Sequence, residues 1–244
     1  MTLAHFASTV ATTFLASSVE AVEAMTVVLA AGITRGWRST LAGAFAGLAV
    51  LAAIVALAGP ALASAPIRPL QAVTGTLLLL FGVRWLRKAI LRYAGVIPMR
   101  DEDDKFAQSR AQLGPAAPVA STIDPIAALT SFKVVLLEGI EVIVIVIGVG
   151  AAGSLLLPAS VGALAACLVV VVACAILHRP LARVPENALK LAVGALVSAF
   201  GIFWFGEGAG IEWALGEPTI LALVAVLLGT AAAGVRLARP REEA

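Results

Sequence analysis

Four glutamates carry the chemistry that this chain can do. Glu20 and Glu23 form one pair, Glu138 and Glu141 another, and each pair sits near the middle of a long apolar run that is otherwise almost free of charge. A carboxylate at the centre of a membrane helix costs about 2.5 to 3.5 kcal/mol, so four of them represent a penalty on the order of 10 kcal/mol. In each pair the spacing is i, i+3, which puts both side chains on one face of a helix, one turn apart, where they can converge on a single guest. Four carboxylates facing one another in a low-dielectric site repel strongly, so the site must take up a cation, protons, or both. All-oxygen ligands select hard ions such as iron, manganese, calcium or magnesium over Cu(I), and zinc would more often bring Cys or His.

The runs that must position these residues are those of a polytopic membrane protein. Of the 244 residues, 61% are hydrophobic and 13% charged, and the mean hydropathy is +1.02. Apolar segments long enough for a hydrocarbon core of about 30 Å occur at 8–33, 40–62, 70–91, 128–152, 157–177, 187–206 and 217–236. The expected fold is therefore all-α with seven transmembrane helices. The region before Val10 has no Lys or Arg and reads as part of a retained helix, not a signal peptide.

Basic residues mark every second boundary. Arg35 and Arg38 follow the first helix, Arg84, Arg87, Lys88, Arg92, Arg100, Lys105 and Arg110 the third, Arg179 and Arg183 the fifth, and Arg236, Arg239 and Arg241 the seventh. The opposite boundaries carry Arg68 and Lys190, and the connection between helices 6 and 7 is acidic. The charge rule then places the N-terminus outside and the C-terminus inside a bacterial cytoplasmic (inner) membrane. The net charge of +2 is a topology signal and points to no nucleic-acid partner.

The two halves repeat each other. With an offset of 118, Thr12-Thr13-Phe14 falls on Thr130-Ser131-Phe132, Glu20 on Glu138, Glu23 on Glu141 and Gly32 on Gly150. With an offset of 119, Gly43 falls on Gly162, Pro66 on Pro185, Gly75 on Gly194, and Phe81-Gly82 with Trp85 on Phe200-Gly201 with Trp204. Three helices per repeat is an odd number, so the second copy enters the membrane from the other side. The organisation predicted is a first repeat at 1–91, a cytoplasmic linker at 92–127, a second, inverted repeat at 128–206, and an acidic outer loop with a seventh helix and basic tail at 207–244. Inverted repeats are a common plan of secondary transporters, with the substrate site near the midplane at the repeat interface.

Other residues take supporting parts. Thr12, Thr13, Thr130 and Ser131, with Thr26 one turn beyond Glu23, are candidate pathway hydroxyls, or they bond to backbone carbonyls of their own helices. Glu207, Glu212 and Glu217 are a candidate outer cation funnel, or polar loop residues. The linker, with Asp101-Glu102-Asp103-Asp104 and Pro115, Pro118 and Pro125, reads as flexible and solvated. Arg84 either snorkels to the surface or pairs with a carboxylate, and snorkelling is favoured. Cys167, Cys174 and His178 share a helix face, but buried Cys is commonly a small hydrophobe. Gly229 and Gly234 are expected to let the last helix pack closely. No zinc-protease, Ser/His or nucleotide-binding motif is present, so an enzyme is not expected.

Glu138-Gly139-Ile140-Glu141, with Val19-Glu20-Ala21-Val22-Glu23 as a first copy, resembles the Arg-Glu-Gly-Leu-Glu motif of the oxidase-dependent iron permeases, the iron/lead transporter family within the lysine-exporter superfamily. The motif arginine is replaced here by Val19 and Leu137, and the first copy has Ala21 for glycine. The whole chain looks most like an uncharacterised group of bacterial membrane proteins from the same neighbourhood. The resemblance implies seven helices with the motif on the first and fourth, and a transported metal cation with no permanently bound cofactor. The function expected is a secondary transporter of a metal cation of the iron, manganese or calcium class through Glu20, Glu23, Glu138 and Glu141. Its partners would be the lipid bilayer, the cation, protons as coupling ion, and further copies of the chain. The alternatives are an exporter of a small organic cation, such as a basic amino acid, and a nontransporting membrane scaffold.

Overall fold

The computed structural model describes residues 3–114, 123–150, 155–177, 185–216 and 218–239, the side chains of 3–5, 8 and 58–64 excepted. Among them run eight helices: α1 (Leu3–Arg35), α2 (Trp37–Ser64), α3 (Ile67–Tyr93), α4 (Glu102–Leu113), α5 (Pro125–Gly150), α6 (Leu156–Leu177), α7 (Glu186–Gly208) and α8 (Thr219–Ala238). Six of them, α1, α2, α3, α6, α7 and α8, are long and apolar enough to cross a membrane. The expected fourth span is α5, whose 26 residues extend about 39 Å at 1.5 Å per residue. It is long enough, but every 18-residue window of it contains Lys133, Glu138 and Glu141. The charges that make α5 interesting are the ones that set it apart.

The helices pack as α1 on α6, α2 on α5, α3 on α7, and α1 on α5. Small residues let the backbones meet, as membrane helices require in the absence of a hydrophobic drive between them. A side chain at Gly43 of α2 would run into the Ala128 carbonyl of α5, and one at Gly162 of α6 into the Val10 carbonyl and Thr13 of α1. On the α3–α7 contact Gly75 lies against Gly201 and Phe205, and Gly82 against Gly194 and Ser198. Around these crossings a core of Ala16, Leu78, Trp85, Ile145, Val149, Val193, Val197, Phe203 and Trp204 joins α1, α3, α5 and α7. Trp213 closes its far end, stacking on Phe203 at 5.6 Å and donating its indole N–H to the Phe203 carbonyl at 3.0 Å.

Two sequence expectations change. The linker was read as flexible and solvated, yet residues 102–113 form α4, which packs on α1. The acidic run is its start: the Asp101 side chain accepts from the N–H groups of Asp103 (2.8 Å) and Asp104 (3.4 Å), and Glu102, Asp103 and Asp104 occupy the first turn, where the helix dipole favours negative charge. The last helix does not use Gly229, where an added side chain would meet nothing within 4 Å; at Gly234 an added β-carbon would rest on Ile90 at an ordinary 3.4 Å. The buried contact of α8 is Ala231, packed with Leu86 and Ala195.

Asp124 ties the far end of the linker to both α1 and α5. Its carboxylate accepts from the N–H groups of Ile126 (2.9 Å) and Ala127 (3.1 Å), with Pro125 at the first helical position where its missing N–H costs nothing. Arg35 binds the same carboxylate at 2.8 Å and the Leu113 carbonyl at 2.5 Å. Partial burial would raise the Asp124 pKa, but the Ala127 N–H and Arg35 outweigh it and hold it below the usual value.

Candidate functional site

Where α1 and α5 meet, Glu20, Glu138 and Glu141 each offer a carboxylate oxygen within 4.8 Å of the other two. Glu20 lies among α1 residues with no exposure at all, Ala16, Ser17 and Val19, and is itself 1% exposed. Its Oε1 finds no hydrogen-bond partner among the described residues. Such an orphan is costly, because a buried polar atom forfeits its water without a replacement. The nearest cation is Arg84 of α3, 3.7 Å from Glu141 Oε1, with its own side chain 57% exposed. Arg84 was expected to snorkel; it pairs with a carboxylate while leaving most of its length open. With all three carboxylates ionised and Arg84 counted, the cluster carries two uncompensated negative charges, which one divalent cation or two protons would neutralise.

The fourth glutamate of the expected set stands apart. Glu23, one turn along α1, is not among the three clustered carboxylates and is already held by cations. Lys190 of α7 bonds to its Oε1, Arg100 Nη1 lies 2.9 Å from its Oε2, and Lys105 Nζ lies 3.5 Å from the same oxygen. Arg100 also reaches Glu102 (2.7 Å) and Glu186 (3.0 Å), Lys190 lies 3.6 Å from Glu186, and Arg92 lies 4.0 Å from it. Three carboxyl groups, Glu23, Glu102 and Glu186, thus share three or four cations. Burial alone would raise the Glu102 pKa, but hydrogen bonds from the Glu186 carboxyl, the Thr26 hydroxyl and Arg100 outweigh it and hold the group below the usual value.

The remaining candidates are scattered. The Thr13 hydroxyl is 2.9 Å from the Thr9 carbonyl and 3.2 Å from that of Val10, so it serves its own helix; Thr26 bonds to the Val22 carbonyl (2.9 Å) and to Glu102. Ser131 is buried with its hydroxyl unpartnered among the described residues, whereas Thr12 and Thr130 are half-buried. Ser17, which the sequence did not single out, is also buried and unpartnered, one turn before Glu20. Of the expected acidic funnel, Glu207 accepts from Gln71 at 2.7 Å, Glu212 is exposed, and Glu217, like His178, Arg179, Arg183 and Arg241, lies outside the described residues. Cys174 is buried with Leu29 and Val170, a small hydrophobe in a core.

Gly139 of the second motif faces Leu51 of α2, and α5 runs through it unbroken. It leaves room there for the Leu51 side chain. Glu20 and Glu138 also border a cavity of about 400 Å³ among α1, α2, α5 and α6, whose other walls include Met25, Trp37, Phe45 and Leu48.

Lys190, Arg100, Glu102 and Glu186 escaped the sequence reading. Counting charges puts Lys190 with the boundary opposite the basic ones, but it shares Glu23 and Glu186 with Arg92, Arg100 and Lys105, at the end of the bundle where α3 finishes and α4 begins. Its signal was present: an ammonium and a carboxylate four residues apart at the start of an apolar helix need partners. No protein-family model, no curated protein and no solved structure matches this chain.

Proposed function

We propose that the chain is a secondary transporter of a hard divalent cation, of the iron, manganese or calcium class, with Glu20, Glu138 and Glu141 as its ligands. The observation that carries this reading is the buried, unpartnered Glu20 oxygen inside a three-carboxylate cluster. Such a cluster is a poor way to stabilise a fold, because each charge would be better replaced by a hydrophobe. A bound hard cation, which takes carboxylate oxygens at about 2.0 to 2.6 Å, turns the same groups from a cost into a site.

The architecture proposed is seven spans with α5 as the fourth, arranged as a 3+3 inverted repeat plus α8. Its support is that contacts map onto contacts. The repeat carries Val10 onto Ala128 and Gly43 onto Gly162, and the close approaches are Gly43 on Ala128 and Gly162 on Val10. It carries Gly75 onto Gly194 and Gly82 onto Gly201, and the approaches are Gly75 on Gly201 and Gly82 on Gly194. A two-fold relation between the halves accounts for both exchanges, and places Glu20 and Glu138 on either side of its axis. This plan is the one expected of the iron/lead transporter resemblance, with a set of three carboxylates where the motif offered four.

The apolar cavity beside Glu20 and Glu138 favours a second reading, a small organic cation whose hydrocarbon part occupies those walls. Purified protein in proteoliposomes separates the two. Uptake of Mn²⁺, Fe²⁺ or Ca²⁺ that basic amino acids and alkylamines leave unaffected is the expected result; saturable amine uptake with no metal flux supports the second reading and overturns the first.

A further inference from the structure

Glu23 faces the same side of α1 as Glu20, one turn closer to the end of the bundle where the linker lies. Anything passing between the cluster and that end along this face meets Glu23, and Glu23 is covered. The cover comes from the linker: Arg100 and Lys105 bind its carboxylate, and Thr26, one turn further, bonds to Glu102 at the start of α4. The same segment is fastened to α7, where the Asn187 side chain exchanges hydrogen bonds with the Arg100 backbone at 3.0 and 3.2 Å, and Glu186 lies 3.0 Å from Arg100 Nε. Lys190 completes the joint from α7, bonded to Glu23, 3.6 Å from Glu186 and 5.7 Å over the Trp85 ring.

The chemistry of this joint differs from that of the other contacts in the bundle. The spanning helices meet through glycine, alanine and aliphatic side chains, whereas the 12-residue α4 adds to the packing of Phe106 on the Ala21, Val22 and Leu29 cluster a set of ions, Glu102 buried with Arg100 and Lys105 half-buried, that bind α1 and α7. Buried ion pairs contribute little net stability compared with apolar packing, because the charges recover their hydration when they separate. A contact of this kind suits a part that must leave and return. We propose that Arg100, Glu102 and Lys105 form a strap that closes the linker-side end of the path to the carboxylate cluster, latched on Glu23, Glu186 and Lys190. The proposal rests on the cation-site reading only for what the strap closes. Glu23 is then a latch residue and not a ligand, although it belongs to the same motif as Glu20.

Hydrogen exchange on the full-length protein in nanodiscs tests this, alongside Mn²⁺ titration of the same samples. In Glu23→Gln and in Lys190→Met the α4 amides should exchange about tenfold faster than in the parent, while Mn²⁺ affinity stays within about threefold. Where a single change leaves an unpaired buried charge and the protein aggregates, Glu23→Gln/Lys190→Met removes both members, and α4 should still be deprotected because Arg100 and Lys105 have lost their anion on α1. Unchanged α4 exchange in the double variant would overturn the strap. Loss of Mn²⁺ binding in Glu23→Gln to the extent seen for Glu20→Gln would overturn the latch assignment. Absence of Mn²⁺ binding in the parent would count against the cation site, while the exchange result would still decide the strap.

Discussion

Glu20→Gln, Glu138→Gln and Glu141→Gln should each weaken Mn²⁺ binding by on the order of 100-fold, about 2.7 kcal/mol, as followed by equilibrium titration. Glutamine keeps the size and one acceptor oxygen but removes a charge, and a hard cation needs that charge to offset the water it gives up. Glu20 should show the largest loss, because it is the most deeply buried of the three and its oxygen is unpartnered among the described residues. The folded protein should gain stability from the same change, since a buried charge has gone. That opposition between affinity and stability separates a binding site from a structural ion pair, whose disruption lowers both. Equal affinity for Mn²⁺ in all three variants and the parent would remove the basis for the site.

Gly43→Leu should destabilise the protein by at least about 3 kcal/mol, seen as a lower midpoint of unfolding in detergent. Even the first side-chain carbon at this position would overlap the Ala128 carbonyl, with the Ala128 α-carbon 2.8 Å away. The obstacle is backbone, which cannot rotate aside, so α2 and α5 must separate. Overpacking a tight contact costs about 1 to 3 kcal/mol for one added group, and leucine adds more than one. Gly229→Leu is the control: nothing lies within 4 Å of that position, and its midpoint should move little. If both variants melt alike, the close α2–α5 approach is wrong, and the support that the paired contacts lend to the repeat falls with it.

How much of this was legible in the sequence depends on whether the signal was local. The long apolar helices, though not α4, and the pairing of the glutamates on shared helix faces were, because hydropathy and an i, i+3 spacing need no knowledge of neighbours. The glycines that meet across α2–α5, α1–α6 and α3–α7 were visible as repeat landmarks, but which faced which was not. The fate of Glu23 could not be read at all: it and Glu20 have the same residue type, helix and face, and only the linker and α7 distinguish them. The place of Lys190 is set by Glu23 and Glu186, which a count of boundary charges does not include. The acidic run at 101–104 carries two signals at once, a charge run typical of a solvated loop and a capping aspartate followed by three acids before a polar helix, and only the packing of α4 decides between them. Gly139 sits between the two carboxylates of its motif, but the neighbour that needs its small size, Leu51, lies on another helix.

The central claim is that Glu20, Glu138 and Glu141 share one cation. Crystals grown with Mn²⁺, measured at a wavelength where manganese scatters anomalously, test it most directly. One peak per chain between α1 and α5, with carboxylate oxygens of all three residues at about 2.0 to 2.6 Å and Glu23 still bound to Lys190 and Arg100, is the predicted result. A peak at Glu23, or fully loaded crystals with no manganese between α1 and α5, would contradict the account.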